Sequence, residues 1–242
     1  MIAVSIVSHG HGAMVERLVS SVLDLPSVSQ VIVVLNIRES MNLPSSERIT
    51  VIENDSPRGF GANHNLAFKH SRQPFFCPMN PDITIQDDPF PGLLSAMDIQ
   101  GVGVAAPVVV NTMGEVEDSA RYFPTIRSVV KKILFGSKGI FLEVNNAPCV
   151  FPEWVAGMFM LFRRESFMRL NGFDEGFYLY YEDVDICVRL WRQGERVVLW
   201  QGARVIHDAR RDSHRNVAYL KFHMASMLRY FAKYWGRLPK IE

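Results

Sequence analysis

Ile2-Ala3-Val4-Ser5-Ile6-Val7-Ser8 runs through His9-Gly10-His11-Gly12 into Ala13-Met14-Val15-Glu16-Arg17-Leu18-Val19-Ser20-Ser21-Val22-Leu23, and a second apolar run, Gln30-Val31-Ile32-Val33-Val34-Leu35-Asn36, follows. The two outer runs have the length and β-branched character of strands. The middle one has helical spacing, and the polar, glycine-rich turn before it marks the change of period. Strand, helix, strand in this order predicts an α/β domain with a largely parallel sheet. The pattern continues outward with strands at Ile49–Glu53 and Phe75–Met79 and a helix at Ala62–Lys69, entered through Asp55-Ser56-Pro57-Arg58-Gly59-Phe60-Gly61. In open parallel sheets the ligand crevice lies at the carboxyl ends of the strands, so these turns and Asn80-Pro81-Asp82 are expected to share one site.

Further along, residues 111–153 carry no clean period and read as an acceptor-facing insertion or mobile loop. Val155–Phe162 reads as a buried strand, Glu165–Leu170 as a short helix closed by Asn171-Gly172, and Glu182–Arg192 as a helix ending near Gly194. Val197–Trp200 and Arg204–Ile206 read as strands leading to His207. From His214 to Trp235 one helix is expected, with Val217, Leu220, Met224, Leu228, Phe231 and Trp235 on one stripe and Arg215, Arg229 and Lys233 on the other side. Such a helix either packs on the sheet with a solvated basic face or touches a membrane.

At 242 residues, 48% hydrophobic and 21% charged, the chain can bury one large core. The N-terminus has no basic leader. The uncharged stretch Ile99–Gly114 is interrupted by Gln100, Pro107 and Asn111 and is too short to span a bilayer. Cys77, Cys149 and Cys187 are an odd number without zinc spacing, as expected in a reducing cytoplasm. The net charge of +1 is unevenly placed: residues 204–242 hold nine Lys/Arg against three acids, leaving 17 against 22 elsewhere. A basic tail on a near-neutral body implies an anionic surface such as phospholipid headgroups or a lipid diphosphate. Nucleic acid is not expected, because no nucleic-acid motif accompanies the charge.

Three constellations can do chemistry. Asp82, at the end of an apolar strand, can hold a divalent ion bridging two phosphates, although Asn80-Pro81-Asp82 is also a sequence of turn formers. Glu182, Asp183 and Asp185 crowd the first turn of a helix, where acids serve as caps; a carboxylate beside a second carboxylate is also suited to take a proton. In that reading Asp183 is the base, Glu182 orients it, and Asp185 is a cap or salt-bridge partner. His207, after a strand, is either structural or a ligand to a metal or phosphate. The turns at Gly10-His11-Gly12 and Gly59-Phe60-Gly61-Ala62-Asn63-His64-Asn65 resemble phosphate cradles. Their sixth positions are Val15 and His64 where a dinucleotide fingerprint needs Gly or Ala, and Asn36 stands where a ribose-binding acid would be, so a nicotinamide enzyme is disfavoured.

Five segments together resemble bacterial family 2 glycosyltransferases of the GT-A fold, a Rossmann-like, mostly parallel sheet flanked by helices, and especially the rhamnosyltransferase-like members that build surface polysaccharides. They are Val4–Gly10, Arg58–Asn65, Met79–Asp82, Gly172–Asp185 and Ala203–His207, in the family's order. The resemblance implies an inverting transfer of a sugar, L-rhamnose by subgroup likeness, from a nucleoside-diphospho-sugar to a glycan or polyprenyl-diphosphate-linked acceptor. It also implies a cytoplasmic enzyme on the inner face of the inner membrane. Residue by residue, Ser8, His9, Gly10 and Asn36 would lie at the base and ribose, Gly59, Phe60, Asn65 and Asn80 on the donor side, and Trp154, Ala156 and Gly157 by sugar and acceptor. Asp82, with His207, would bind Mg²⁺ or Mn²⁺, and Asp183 would be the base. The sequence departs from the family where Asn80 replaces an Asp and where Asn36-Ile37-Arg38-Glu39-Ser40 lacks one. The expected organisation is a catalytic domain over 1–210, its donor half about 1–110 and acceptor half about 111–210, followed by a basic helix over 211–242. A non-catalytic sugar-nucleotide-binding subunit on the same fold is the alternative. A nucleotidyltransferase is disfavoured, because Gly10-His11-Gly12 is followed by Ala13-Met14-Val15-Glu16 rather than by Arg and Lys.

Overall fold

The computed structural model describes residues 1–135, 147–208 and 217–241. Four strands, β1 (Ile2–Ser8), β2 (Val28–Leu35), β3 (Ile49–Glu53) and β4 (Phe75–Met79), pair in parallel in the order β3-β2-β1-β4. The helices α1 (Ala13–Leu23) and α2 (Phe60–His70) cross between them. Alternation along β1 divides the molecule: Ile2, Val4 and Ile6 pack with Val15, Leu18 and Val22 of α1, while Ala3 packs on the opposite face with Ala67 of α2. Both faces of the sheet are covered, as all-parallel pairing requires.

Beyond β4 the sheet turns mixed. A two-residue strand β5 (Ile83–Thr84) and α3 (Phe90–Met97) lead to β6 (Val102–Val110), every residue of which is buried. The Ile99–Gly114 stretch, weighed in the sequence only as a membrane span, is thus the strand at the heart of the second half. Its continuous apolarity reflects burial on both faces rather than lipid. The segment 111–153, expected to be irregular, contains β7 (Ala120–Arg121), α4 (Ile126–Phe135) and β8 (Cys149–Val150). The run Val155–Phe162, read as one strand, is two. β9 (Trp154–Val155) pairs with β7 in a separate ribbon, and β10 (Leu161–Arg163) inserts antiparallel between β4 and β6. α5 (Arg164–Arg169) and α6 (Glu182–Arg192) follow. The two strands expected before His207 are one, β11 (Arg196–His207), parallel to β6 with a register shift between Trp200 and Arg204. The shift lies opposite Pro107, which has no N–H to give the ladder.

The last helix, α7 (Val217–Tyr234), docks mainly by a face other than the apolar stripe, from which Phe231 packs on the core. Tyr230 and Tyr234 are 0% and 2% exposed, whereas Leu220, Leu228 and Trp235 are 61%, 64% and 70% exposed. The expected solvated basic face is instead engaged with the protein: Lys233 Nζ lies 2.7 Å from Asp174 and 2.5 Å from Asp185, and Arg229 lies 3.0 Å from Asp174. Arg215 lies outside the described residues.

Candidate active site

The carboxyl ends of β1, β2 and β4 deliver His9, Asn36 and Asn80 to the wall of one cavity of about 410 Å³. Phe60 and Arg58 line it from the entry to α2, Asp82 from the turn after β4, and Tyr219 and Phe222 from α7. The crevice lies where the parallel strand order predicts it.

Its rim is held by amides. Asn36 Oδ1 accepts the Arg58 N–H at 2.7 Å and the Asn54 amide at 3.0 Å, and Asn36 Nδ2 donates to the Arg58 carbonyl at 3.0 Å. Asn36 therefore shapes the loop that carries Arg58 as well as facing the cavity. Ser8 is fully buried and its Oγ accepts the His11 N–H at 3.3 Å, closing the turn after β1. The Gly10 and Gly12 N–H groups, which resemble a phosphate cradle, donate to the two oxygens of Glu39, each at 3.1 Å. Burial opposes charge on Glu39, but the Ser8 hydroxyl and these two N–H groups prevail and hold its pKa below the ordinary value. This side chain already supplies the anion for that turn.

The entry to α2 and the Gly172–Asp185 segment form one clasp. Phe60 N–H donates to the Tyr178 carbonyl at 2.9 Å, and a Cβ on Gly59 would lie 2.5 Å from that same oxygen, so only glycine allows the approach. Asn65 is buried and bonds both backbone groups of Phe173 at 2.9 Å, so it secures the clasp and does not line the cavity. Tyr180 and Tyr181 both take positive φ, 70° and 68°, a turn that non-glycine residues seldom adopt and that sets the start of α6.

From that turn three acids diverge. Asp185 is fully buried against Arg189 (2.7 Å), Lys233 (2.5 Å) and Tyr234 (2.6 Å). Glu182 is buried and its Oε2 has no partner among the described residues; burial first, then the Asp183 charge, pushes its pKa well up. Asp183 is half-buried. Its Oδ2 accepts the Gly157 N–H at 3.0 Å and its Oδ1 the Val184 N–H at 2.8 Å. Burial raises its pKa and these bonds temper the rise.

Asp183 is not among the residues that line the cavity; its carboxylate is held at Gly157. A Cβ there would meet Asp183 Cβ at 3.3 Å and the Phe60 ring at 3.5 Å, and Phe60 lines the cavity. One residue later, the Met158 carbonyl accepts the Asn80 N–H at 2.9 Å. A short backbone path thus joins the Asp82 turn to Asp183. Ala156 is held by its N–H to Ser119 at 2.8 Å, and Trp154 is buried with its indole N–H on the Tyr122 carbonyl at 3.0 Å. Trp154, a residue of the ribbon itself, does not line the cavity.

At the other end of the path, His207 Nε2 lies 3.2 Å from Asp82 Oδ2 and Nδ1 lies 2.7 Å from Glu117. Burial disfavours the imidazolium, but the two carboxylates outweigh it and push the pKa up to about 9. Asp82 Oδ1 is buried without a partner among the described residues. The two residues named together from sequence are therefore neighbours. Among the described residues no group of three or more His, Cys, Asp or Glu side chains is arranged to hold a metal. Glu117, in the segment without a period, and Arg121, whose charge acts on Asp183, were not legible in the sequence. Neither were Tyr178, Tyr219 and Phe222 as cavity residues; Arg58 stood in a motif already singled out.

Comparison with known proteins bears on the family and the fold. The sequence model described as glycosyl transferase family 2 matches residues 4–170, and one described as the N-terminal domain of galactosyltransferase matches residues 140–212. The chain is 25% identical over 247 residues to rhamnosyltransferase WbbL of Escherichia coli K12, covering 96% of this chain and 93% of that protein. It is 29% identical over 173 residues to the N-acetylglucosaminyl-diphospho-decaprenol L-rhamnosyltransferase of Mycobacterium tuberculosis, covering 66% of this chain and 56% of that one. Among solved structures, GalNAc-T7 with UDP, GalNAc and Mn²⁺ superposes with a TM-score of 0.68 at 15% identity, over 88% of this chain and 44% of that one. The mannosyltransferase PcManGT of Pyrobaculum calidifontis with GDP-Man and Mn²⁺ superposes with a TM-score of 0.60 at 15% identity, over 94% and 64%.

Proposed function

The chain belongs to glycosyl transferase family 2, is rhamnosyltransferase-like and has the GT-A fold, and from that premise we propose that it transfers a sugar, L-rhamnose, from a nucleoside-diphospho-sugar to a glycan or polyprenyl-diphosphate-linked acceptor with inversion. The names of the two relatives support the sugar and, in one case, the lipid-linked acceptor. The observation that supports the mechanism is the backbone path from the Asp82 turn through Asn80, Met158 and Gly157 to Asp183, which links Asp82 on the cavity wall to Asp183 through two hydrogen bonds.

The donor lies in the cavity at the ends of β1, β2 and β4, its diphosphate toward Asp82. Asp183 accepts the proton of an acceptor hydroxyl. The freed oxygen lone pair forms the new bond at the anomeric carbon, and the electrons of the breaking C–O bond leave with the nucleoside diphosphate. No covalent intermediate forms, and attack from the face opposite the leaving group inverts the centre. The Gly157 and Val184 N–H groups orient Asp183, and Glu182, whose ionisation burial and the Asp183 charge oppose, acts on it through charge alone.

Two of the solved structures contain Mn²⁺, and the residues here fit such an ion once it displaces a proton: Asp82 Oδ1 is buried without a partner among the described residues, and His207 Nε2, which shares its proton with Asp82 Oδ2, would turn ligand on losing it. Asp82 and His207 would hold it, and Mg²⁺ or Mn²⁺ would neutralise charge on the departing diphosphate.

A donor half of about residues 1–110, an acceptor half of about 111–210 and the C-terminal helix make up this enzyme. The outward stripe of α7, with exposed Lys221, Arg237 and Lys240 around it, rests on the anionic inner face of the membrane that carries the acceptor. No described helix is long and apolar enough to cross that membrane.

Asp183→Asn tests the assignment. Transfer is expected to fall by about 10² to 10⁴, with donor affinity measured by calorimetry nearly unchanged. Equal loss of both would remove Asp183 as the base.

A further inference from the structure

Among the wall residues that the mechanism above leaves idle is a histidine in the interior. His64, on α2, is completely buried yet lines the cavity. Its ring is fixed by Phe60, edge-to-face at 4.5 Å, and by Phe173 at 6.2 Å, and its Nδ1 lies 2.8 Å from the Oγ of Ser5 in β1. The other nitrogen, Nε2, is buried with no partner among the described residues.

The hydrogen-bond balance fixes what that nitrogen offers. Ser5 is itself fully buried in the sheet, and among the described residues its hydroxyl has no acceptor other than His64 Nδ1. A buried hydroxyl keeps its proton on an acceptor, so Ser5 donates to Nδ1 and the ring proton sits on Nε2. Burial lowers the pKa of His64 to about 3, so the ring stays neutral and Nε2–H is a donor at physiological pH. An unmet buried donor carries a desolvation penalty that folding alone does not relieve, and such groups concentrate where a ligand supplies the missing partner.

We propose that His64 is a donor-positioning residue, its Nε2–H bonding a neutral acceptor oxygen of the nucleotide-sugar at the buried end of the cavity. The inference rests on the donor reading of that cavity and assigns a partner within it. A neutral donor suits a carbonyl of the base or an oxygen of ribose or sugar. A phosphate oxygen would favour protonation of the ring, which the burial resists.

Histidine-selective ¹⁵N NMR of the full chain separates the outcomes, with thymidine, deoxythymidine diphosphate and deoxythymidine-diphospho-L-rhamnose as probes. The Nε2 resonance of His64 is expected to be protonated in the free protein and to shift on ligand addition, together with resonances of His9 and His11, which line the same cavity. A shift with thymidine assigns the oxygen to the nucleoside, and one appearing only with the rhamnoside assigns it to the sugar; either supports the inference. A shift that appears first with the diphosphate, accompanied by protonation of Nδ1, overturns the neutral-acceptor assignment. Movement of His9 and His11 without His64 overturns the inference and leaves the donor cavity standing. If none of the three moves, the cavity reading falls and takes the inference with it. In steady state, His64→Leu is expected to raise the donor KM about tenfold with a smaller change in kcat, and His64→Gln, which restores an N–H at the same distance, to recover most of it. Equal KM values for His64→Leu and His64→Gln would assign the ring a packing role alone.

Discussion

Glu182, Asp183 and Asp185 leave one turn of α6 and meet three different environments. Asp185 faces inward onto Arg189, Lys233 and Tyr234, Glu182 is buried with no partner for its Oε2 among the described residues, and Asp183 reaches the Gly157 N–H. Neutralising Asp185 leaves the largely buried Arg189 charge without a carboxylate among the described residues and takes one of two carboxylates from Lys233, so Asp185→Asn is expected to cost about 3 kcal/mol in urea unfolding. The stability of Asp183→Asn should change far less, because Asp183 is only half-buried and bonds backbone N–H groups. The pair of variants separates a structural acid from a chemical one. In sequence, all three acids share the chemistry of a helix start, where Asp185 reads equally as a cap or a salt-bridge partner. Arg189 is four positions on, but Lys233 and Tyr234 lie 48 and 49 positions away, beyond any local pattern.

α7 shows the same limit for a whole element. Its apolar spacing was visible, and spacing alone favours packing that stripe against the sheet. The helix instead turns Tyr230, Tyr234 and Lys233 inward, because buried Asp185 and half-buried Asp174 wait there for cations. Burial works against charge on Asp174, yet Lys233, the Gly176 N–H and Arg229 overcome it and bring its pKa from 3.8 down to about 2. A depressed carboxylate stabilises the fold above its unfolded pKa, and that contribution is lost as pH falls through the folded value. The stability gap between wild type and Asp174→Asn, read from urea unfolding at a series of pH values, is therefore expected to be full above about pH 5 and to close as the pH falls toward about 2. A gap that widened on acidification would contradict the pairing. The site at the start of the chain was more legible: β1, α1, β3 and β4 lie where the periodicity placed them, since each depends on contacts its own alternation reports.

At the scale of the molecule, one sheet carries two cores and a cavity at its carboxyl edge, and the outward face of α7 lies behind the cavity wall that Tyr219 and Phe222 form. If that face rests on an anionic bilayer, the intact chain should co-float with vesicles containing phosphatidylglycerol. Leu220→Glu with Leu228→Glu should abolish flotation and spare transfer to a water-soluble acceptor. Loss of both activities would place the stripe in the fold instead. The sequence by itself determined the α/β class, the parallel opening of the sheet and the family resemblance, and it singled out Asp82, His207 and Asp183. Each of these is written in short-range period or in a motif a few residues long. Only the tertiary structure decided which side chains line the cavity, which acid is buried in ion pairs, which face of α7 turns outward, and that β6 stands at the centre of the second half. Those outcomes depend on which distant groups become neighbours, and a buried charge or an unmet donor takes its character from that company rather than from its place in the chain.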